Sequence, residues 1–451
     1  MEPISLQLLA RAAGDNAPHP GVVTQICTDT RQLTPGCLFV ALQGERFDGH
    51  DFVPAALAGG AIAAVVHHPV KAPAKQLIQV EDTQRALLAM AACYRDQFPA
   101  LRLTAVTGSV GKTTTKEMMA CVLESAWKTL KTEGNLNNEI GMPKTLFQLD
   151  SSYGAAVIEM GMTGFGEIRD LAAAAKPCLG VITTIGVSHL ERLGSRENIL
   201  RAKLELAQEL PDGAPLLLNG DNDLLSQVEE NRLKTVFFGE ENPACAIRCT
   251  AWREAGDSTW MTIAWEGNSY ETRLPALGRH NRMNALAAFG TGVLLGLEPE
   301  QCARALAAYR PAGMRQRLVE KQGVLVMEDC YNASPDSMTA ALETLGGYPC
   351  AGRRIAVLAD MLELGAVQEE GHRQVGALAA RRADLLLCWG ELARLYLEGA
   401  REAGMEKAYW FKTKEELARA VAREAATGDL VWFKASRGMA LEEVIRLCWG
   451  D

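Results

Sequence analysis

The stretch from Ala105 to Thr115, Ala-Val-Thr-Gly-Ser-Val-Gly-Lys-Thr-Thr-Thr, constrains this chain more than any other. An apolar run, Leu101 to Val106, leads into it. A segment from Lys112 to Ser125 leaves it with Met118, Met119, Val122 and Leu123 at helical spacing. Strand, glycine loop and helix in that order make a cradle for phosphate. Gly108 and Gly111 let the backbone curl so that its N–H groups converge on an anion. The helix N-terminus adds its dipole, Lys112 a point charge, and Thr113 a hydroxyl suited to Mg²⁺. The pattern departs from the common phosphate loop at Val106, where that loop has glycine.

Such a loop belongs to an α/β sheet, and the rest of the chain has that rhythm. Residues 1 to 82 read as a small α/β unit: a short helix from Ser5 to Ala13, strands at Cys37 to Leu42, Ala61 to Val66 and Gln76 to Val80, and a helix at Asp51 to Ala58. Thr83 to Phe98 is a helix bridging into a second unit, 83 to 312. There, short apolar strands at Leu101 to Val106, Ala155 to Ile158, Leu179 to Ile185, Pro215 to Leu218 and Val236 to Phe238 alternate with helices. This predicts a mostly parallel sheet covered on both faces. Trp252 to Leu274 reads as a β-hairpin turning at Glu266-Gly267-Asn268, and Asn281 to Leu295 as a helix. Tyr309-Arg310-Pro311-Ala312-Gly313 punctuates the chain. The third unit, 313 to 451, repeats the rhythm with five strands and five helices, as a Rossmann-like domain without Gly-x-Gly-x-x-Gly after its first strand.

Charge and cysteine content narrow the function. The chain has 451 residues and a net charge of −9 with no basic stripe, which argues against nucleic acid as the main partner. The N-terminus lacks a signal peptide's basic start and apolar run, and no long uncharged stretch could span a membrane. The 12 cysteines are scattered without metal-ligand spacing, as expected of reduced thiols in a cytoplasmic protein.

Chemistry is expected where strands end, because ligands of parallel sheets bind there. Glu159 closes an apolar strand, where a carboxylate suits Mg²⁺. His189 follows another strand; nitrogen is an unusual ligand for that ion. Gly278-Arg-His-Asn281 precedes a helix; Asn281 reads equally as a helix cap and as an amide facing a nucleotide base. Loops at Thr28 to Arg31 and Gly44 to His50, at Glu328 to Pro335 and at Lys434 to Gly438 bind ligands or are plain solvated turns. Lys203 reads as an exposed helix lysine.

Together, Thr107 to Thr113, Gly134-Asn-Leu-Asn-Asn138, Ile158-Glu-Met-Gly161, Gly278 to Asn281 with Asn284 to Ala288, Tyr331-Asn-Ala-Ser-Pro335 and Asp360-Met-Leu-Glu-Leu-Gly365 resemble the Mur ligases over essentially the whole chain. These are ATP-dependent amide-forming enzymes of peptidoglycan precursor synthesis. The chain is most similar to the branch that joins D-alanyl-D-alanine to UDP-N-acetylmuramoyl-tripeptide. The Asp-Asn-Pro-Arg motif of the diaminopimelate-adding branch is absent, and Ala359 stands where glycine is expected before Asp360.

The resemblance implies three domains in order: UDP-binding, ATP-binding and Rossmann-like. It implies that Gly108, Ser109, Val110, Gly111, Lys112, Thr113 and Thr114 bind the phosphates of ATP. Thr113, Glu159, His189 and a carbamylated Lys203 would hold Mg²⁺, with Lys112, Glu159, His189 and Lys203 as the catalytic set. Asn281, Arg315 and Asp329 would hold the nucleotide. Thr30, Arg31, Phe47, Asp48, Gly49 and His50 would face UDP, Asn137 and Asn138 the muramoyl-peptide, and Tyr331, Asn332, Ser436 and Arg437 the dipeptide. The expected protein is a cytoplasmic monomer with small-molecule substrates. Competing readings are another amide ligase of this kind, diaminopimelate-adding or folylpolyglutamate synthase-like, and a phosphate-loop NTPase or kinase without ligase activity.

Overall fold

The computed structural model describes residues 1–311 and 313–450; Ala312, where the expected second unit ends, and Asp451 lie outside the described residues. The described chain forms sheets of four, nine and six strands and one two-stranded pair.

The nine-stranded sheet is built around the strand Arg102–Thr107, which runs parallel to Ala155–Glu159 on one side and Leu179–Ile182 on the other. Its residues alternate between two cores. Leu103 and Ala105 join Ala156, Ile158 and Ile182 on one face, while Val106 joins Ala155, Val157, Leu179 and Val181 on the other. A strand buried on both faces reads as an unbroken apolar run, as this one does. After Arg102–Thr107 the chain goes to the edge strand Thr129–Lys131 and comes back between the two with Ala155–Glu159. It then returns to the other side with Leu179–Ile182, Pro215–Asn219, Lys234–Gly239 and Ile247–Ala255, all parallel. That reversal leaves a crevice at the carboxyl ends of Arg102–Thr107 and Leu179–Ile182, where the phosphate loop sits.

The expected hairpin at Trp252 to Leu274 is instead a three-stranded antiparallel meander, Ile247–Ala255, Ser258–Trp265 and Asn268–Leu274. An additional turn at Gly256 (φ +62°) precedes the one at Gly267. The first strand also carries a register shift between Cys249 and Ala251, which breaks the alternation that would have marked it.

The four-stranded sheet, Gln25–Cys27, Cys37–Val40, Ala63–Val66 and Leu77–Gln79, is wholly parallel. The helix Thr83–Arg95 is packed between it and the central sheet: Leu87, Met90 and Tyr94 share one core with Val40 and Val65 and with Leu103 and Ile158. The six-stranded sheet runs Arg317–Lys321, Val324–Asp329, Leu430–Lys434, Arg354–Ala359, Leu385–Trp389 and Ala408–Phe411, parallel except for its first strand. It has its own cores on both faces; among the described residues of the central chain only Leu277 joins them. No described helix is long and apolar enough to cross a membrane, and all 12 cysteines are free.

Candidate active site

The loop after Arg102–Thr107 forms through close backbone approach. Gly108 (φ +153°) lies so near Thr183 that a Cβ would fall 1.9 Å from its hydroxyl oxygen, and Gly111 (φ +86°) opens the helix Lys112–Glu124. Thr183 donates to the Val110 carbonyl at 2.6 Å, and Ser109 N–H donates to the Thr184 carbonyl at 2.9 Å. The loop is thus pinned from the neighbouring strand and leaves a helix N-terminus facing a cavity of about 810 Å³.

That cavity gathers residues from all along the central chain and from the third unit. Ser109, Val110, Gly111, Lys112, Thr113 and Thr114 line one wall with Asn137 and Glu159; Asn281 lies across from them, and Arg315, Asp329, Tyr331 and Asn332 close it. Glu159 is buried at the end of its strand. Its Oε2 accepts from the Thr113 hydroxyl at 2.9 Å, its Oε1 accepts from Asn137 Nδ2 at 2.9 Å, and Lys116 Nζ lies 3.7 Å away. Neighbouring oxygens around an octahedral Mg²⁺ are about 2.9 Å apart, so Thr113 Oγ1 and Glu159 Oε2 are spaced as a ligand pair. Lys112 Nζ donates to the Gly108 carbonyl at 2.8 Å. Burial lowers the Lys112 pKa, the Glu159 carboxylate opposes that shift, and Arg315 reinforces it.

Neither His189 nor Lys203 lines this cavity, although the charges of Lys112 and Lys203 reach His189. His189 takes a left-handed conformation (φ +68°) at the start of the turn Leu190–Leu193, a strained position for a side chain of its size. Burial holds its pKa down to about 4, helped by the charges of Lys203 and Lys112. Lys203 corrects the sequence reading: it is 1% exposed, on the inner face of the helix Arg196–Gln208. Burial, and then the charge of Lys112, push its pKa well below the ordinary lysine value. A lysine kept neutral is nucleophilic.

Asn281 does not cap its helix; that place belongs to Gly278. Its amide donates instead to the Leu277 carbonyl at 2.8 Å and to Gln316 Oε1 at 2.7 Å. In the third unit the Arg315 guanidinium stacks on Tyr331 at 4.0 Å, and Asp329 accepts from Lys434 at 2.8 Å across paired strands. Lys434 also donates to the Asn332 carbonyl at 3.0 Å. Asn138 is turned away, its side chain accepting from the Gly141 N–H at 2.9 Å. Ser436 accepts from the Leu362 N–H at 2.9 Å and Arg437 pairs with Glu442, so neither lines the cavity.

The N-terminal residues lie elsewhere. Thr30 and Arg31 form a short turn capped by Asp29, and exposed Arg31 pairs with that carboxylate at 2.6 Å. Thr28 and Gln32, on either side of them, line a second cleft of about 320 Å³ with Gln25, Gln148 and Lys144 of the helix Gly141–Leu146. Phe47 is exposed, Asp48 caps the turn Gly49–Phe52, and Gly49 is pressed against the Leu42 backbone.

Sequence reasoning missed Gln316, Asn284 and Asp336 as individual residues. Asn284 Oδ1 accepts from Thr115 at 3.0 Å, and Asp336 Oδ2 accepts from the Val187 N–H at 3.2 Å across the junction of the second and third units. Asp336 had one local signal, its place in the first turn after Ser334-Pro335; Gln316 had none.

Comparison with known proteins follows the same three parts. Residues 22–95 match the Mur ligase family catalytic domain, 106–292 the Mur ligase middle domain, and 314–437 the Mur ligase glutamate ligase domain. The UDP-N-acetylmuramoyl-tripeptide–D-alanyl-D-alanine ligase of Bacillus subtilis (strain 168) is 39% identical over 433 residues, covering 94% of this chain and 93% of that protein. A crystal structure of MurF from Acinetobacter baumannii superposes with a TM-score of 0.92 at 30% identity, over 99% of both chains. MurF from Thermotoga maritima, solved in complex with ADP, gives 0.86 at 28% identity over 94% of this chain and 96% of the other.

Proposed function

This chain belongs to the Mur ligase family, and we propose that its cavity performs the step named for its relatives, ATP-dependent joining of D-alanyl-D-alanine to UDP-N-acetylmuramoyl-tripeptide. The observation that carries the reading is the convergence on one cavity of the phosphate loop, the Thr113–Glu159 pair and cationic and polar groups of the third unit.

The reaction needs a carboxylate made reactive toward an amine. The terminal carboxylate of the tripeptide attacks the γ-phosphorus of ATP, the bond to the β-phosphate breaks, and ADP departs. The resulting acyl phosphate is attacked by the amine of the dipeptide. The C–O bond to phosphate then breaks, and the amine's surplus proton passes to solvent. Little covalent work falls to the protein; positioning and charge neutralisation dominate. Lys112, which rests on the Gly108 carbonyl, would pair with the β- and γ-phosphates, and the N–H groups of Ser109 to Thr114 at the helix N-terminus would hold the phosphates. Asn281 and, from the third unit, Arg315 and Asp329 hold the nucleoside portion. Thr113, Glu159, His189 and a carbamylated Lys203 would hold Mg²⁺, which would supply positive charge to the transferring phosphoryl group. The neutral, buried Lys203 suits carbamate formation, since its free amine can add CO₂ and gain an oxygen donor.

We assign 1–82, 83–312 and 313–451 as the UDP-binding domain, the ATP-binding domain and the C-terminal Rossmann-like domain. The cleft beside Thr30 and Arg31, with Lys144 on its wall, suits the diphosphate and uracil. Phe47, Asp48, Gly49 and His50 belong to the same unit as that cleft, Asn137 faces the muramoyl-peptide from the cavity wall, and Tyr331 and Asn332 form the dipeptide side. We take the working form to be a monomer. We take the reaction to be cytoplasmic, where ATP and UDP-linked substrates are at hand.

The test is phosphate release with ATP, Mg²⁺ and UDP-N-acetylmuramoyl-tripeptide, with and without D-alanyl-D-alanine, and product masses read by mass spectrometry. Release that requires the dipeptide and yields a pentapeptide mass is the expected result. Release without dipeptide and without a new mass would return the chain to the simple NTPase reading.

A further inference from the structure

A group of histidines lies outside the phosphate cavity, in the N-terminal unit. His50 sits in the turn Gly49–Phe52, and His67 and His68 directly follow the strand Ala63–Val66. One ring nitrogen from each lies within 4.8 Å of the others. The His50 ring stacks on His68 at 3.7 Å and meets His67 edge-on at 4.3 Å. Asp48 ties the group together: Oδ1 is 2.6 Å from His50 Nδ1, and Oδ2 is 2.9 Å from His68 Nε2. We propose that His50, His67 and His68, oriented by Asp48, form a binding site for Zn²⁺ or a similar late first-row divalent cation.

The chemistry of the donors supports this. A carboxylate on one ring nitrogen fixes the tautomer and leaves the lone pair on the other, the arrangement that orients zinc-bound imidazoles. Here Asp48 Oδ1 takes the Nδ1–H of His50, so the His50 lone pair lies on Nε2, which now accepts the His67 N–H at 3.0 Å. The ion takes that lone pair in its place. Asp48 Oδ2, 2.9 Å from His68 Nε2, holds that ring in the same way and leaves its other nitrogen free to bind. The three imidazoles bind the ion, water takes the fourth position, and Asp48 orients two of the rings from outside the shell; such a nitrogen donor set favours Zn²⁺, Co²⁺, Ni²⁺ or Cu²⁺ over Mg²⁺. The His50 side chain is 1% exposed and that of His68 is 40% exposed, so the site has a closed floor and an open side for entry.

The experiment uses the full-length chain in excess Mg²⁺, so that oxygen-rich sites are already filled. Co²⁺ is titrated and the visible bands of tetrahedral coordination are recorded, and Zn²⁺ affinity is measured against a chromophoric chelator. One equivalent is expected, with no near-ultraviolet thiolate charge-transfer band, which separates this site from the 12 cysteines. His67→Ala and His68→Ala should each weaken binding by about a hundredfold or more, and Asp48→Asn by roughly 10–100-fold. Circular dichroism checks folding; if His67→Ala does not fold, the exposed His68 decides the matter alone. No binding by the wild-type chain, a thiolate band, or affinity unchanged in His68→Ala overturns the proposal. Catalytic activity plays no part in the readout, so the result is independent of the ligase reading.

Discussion

Gly108 has no room for a side chain, since a Cβ would lie 1.9 Å from the Thr183 hydroxyl oxygen and 3.2 Å from the Thr184 backbone nitrogen. Gly108→Ala should therefore displace the loop and abolish nucleotide binding, measured by calorimetric titration with ADP. Lys112→Ala tests charge rather than shape. It should lower turnover on the order of a thousandfold while leaving the circular dichroism spectrum unchanged, because the charge at the phosphate loop is lost while the fold is kept. A different residue reports on stability. His372 is fully buried; its Nε2 accepts from the Met361 N–H at 3.0 Å, and its Nδ1 faces the Gln368 carbonyl at 2.6 Å. Burial lowers its pKa below the ordinary 6.5, so the folded chain binds this proton less readily than the unfolded one. Its stabilising contribution is then whole above pH 6.5 and declines as pH falls below that value. The thermal midpoint should drop between about pH 7.5 and about pH 5.5, and His372→Gln should flatten that dependence.

At the scale of elements, the loop carrying His189 is held from outside its own sheet. The helix Pro335–Gly347 is capped by Ser334 and Ser337, and its first turn presents Asp336 to the Val187 N–H at 3.2 Å. Gly186 is packed so closely that a Cβ would fall 2.0 Å from the same carboxylate. On the other side, Gly365 abuts the Glu191 side chain. Two elements of the third unit thus grip the segment that positions His189 in its left-handed conformation. Asp336→Ala should loosen that grip by about 1–3 kcal/mol, the range for removing a charged hydrogen-bond partner. Faster amide exchange over residues 186–194 and a lower kcat should follow, with overall secondary structure intact.

Across the whole molecule, three sheets are joined unequally. The first and second share one core through Thr83–Arg95, whereas the third keeps separate cores and meets the second largely through polar groups around the cavity. A ligand that touches both sides of that junction therefore ties the third unit down, the arrangement from which closure motions arise. ADP at a hundredfold excess over Kd should stabilise the chain by about 2.7 kcal/mol, seen as a higher thermal midpoint. Arg315→Ala, a change in the third unit alone, should reduce that shift, and Lys112→Ala should nearly remove it.

The local pattern of the chain was enough for the phosphate loop, the alternation of strands and helices and the acidic end of Ala155–Glu159, because each is written in neighbouring residues and in periods of two or 3.6. The meander's first strand escaped, since its register shift interrupts the period. Lys203 was misjudged for a related reason: helical spacing says which residues share a face, but the packing of Arg196–Gln208 against its neighbours decides which face is inside. Gln316 and Asp336 lie outside the central unit's own motifs and reach its site only once the third unit is docked. The chemistry available at each strand end was determined by the sequence. The tertiary structure decided which ends meet, because contact between residues far apart in the chain depends on how the sheets pack.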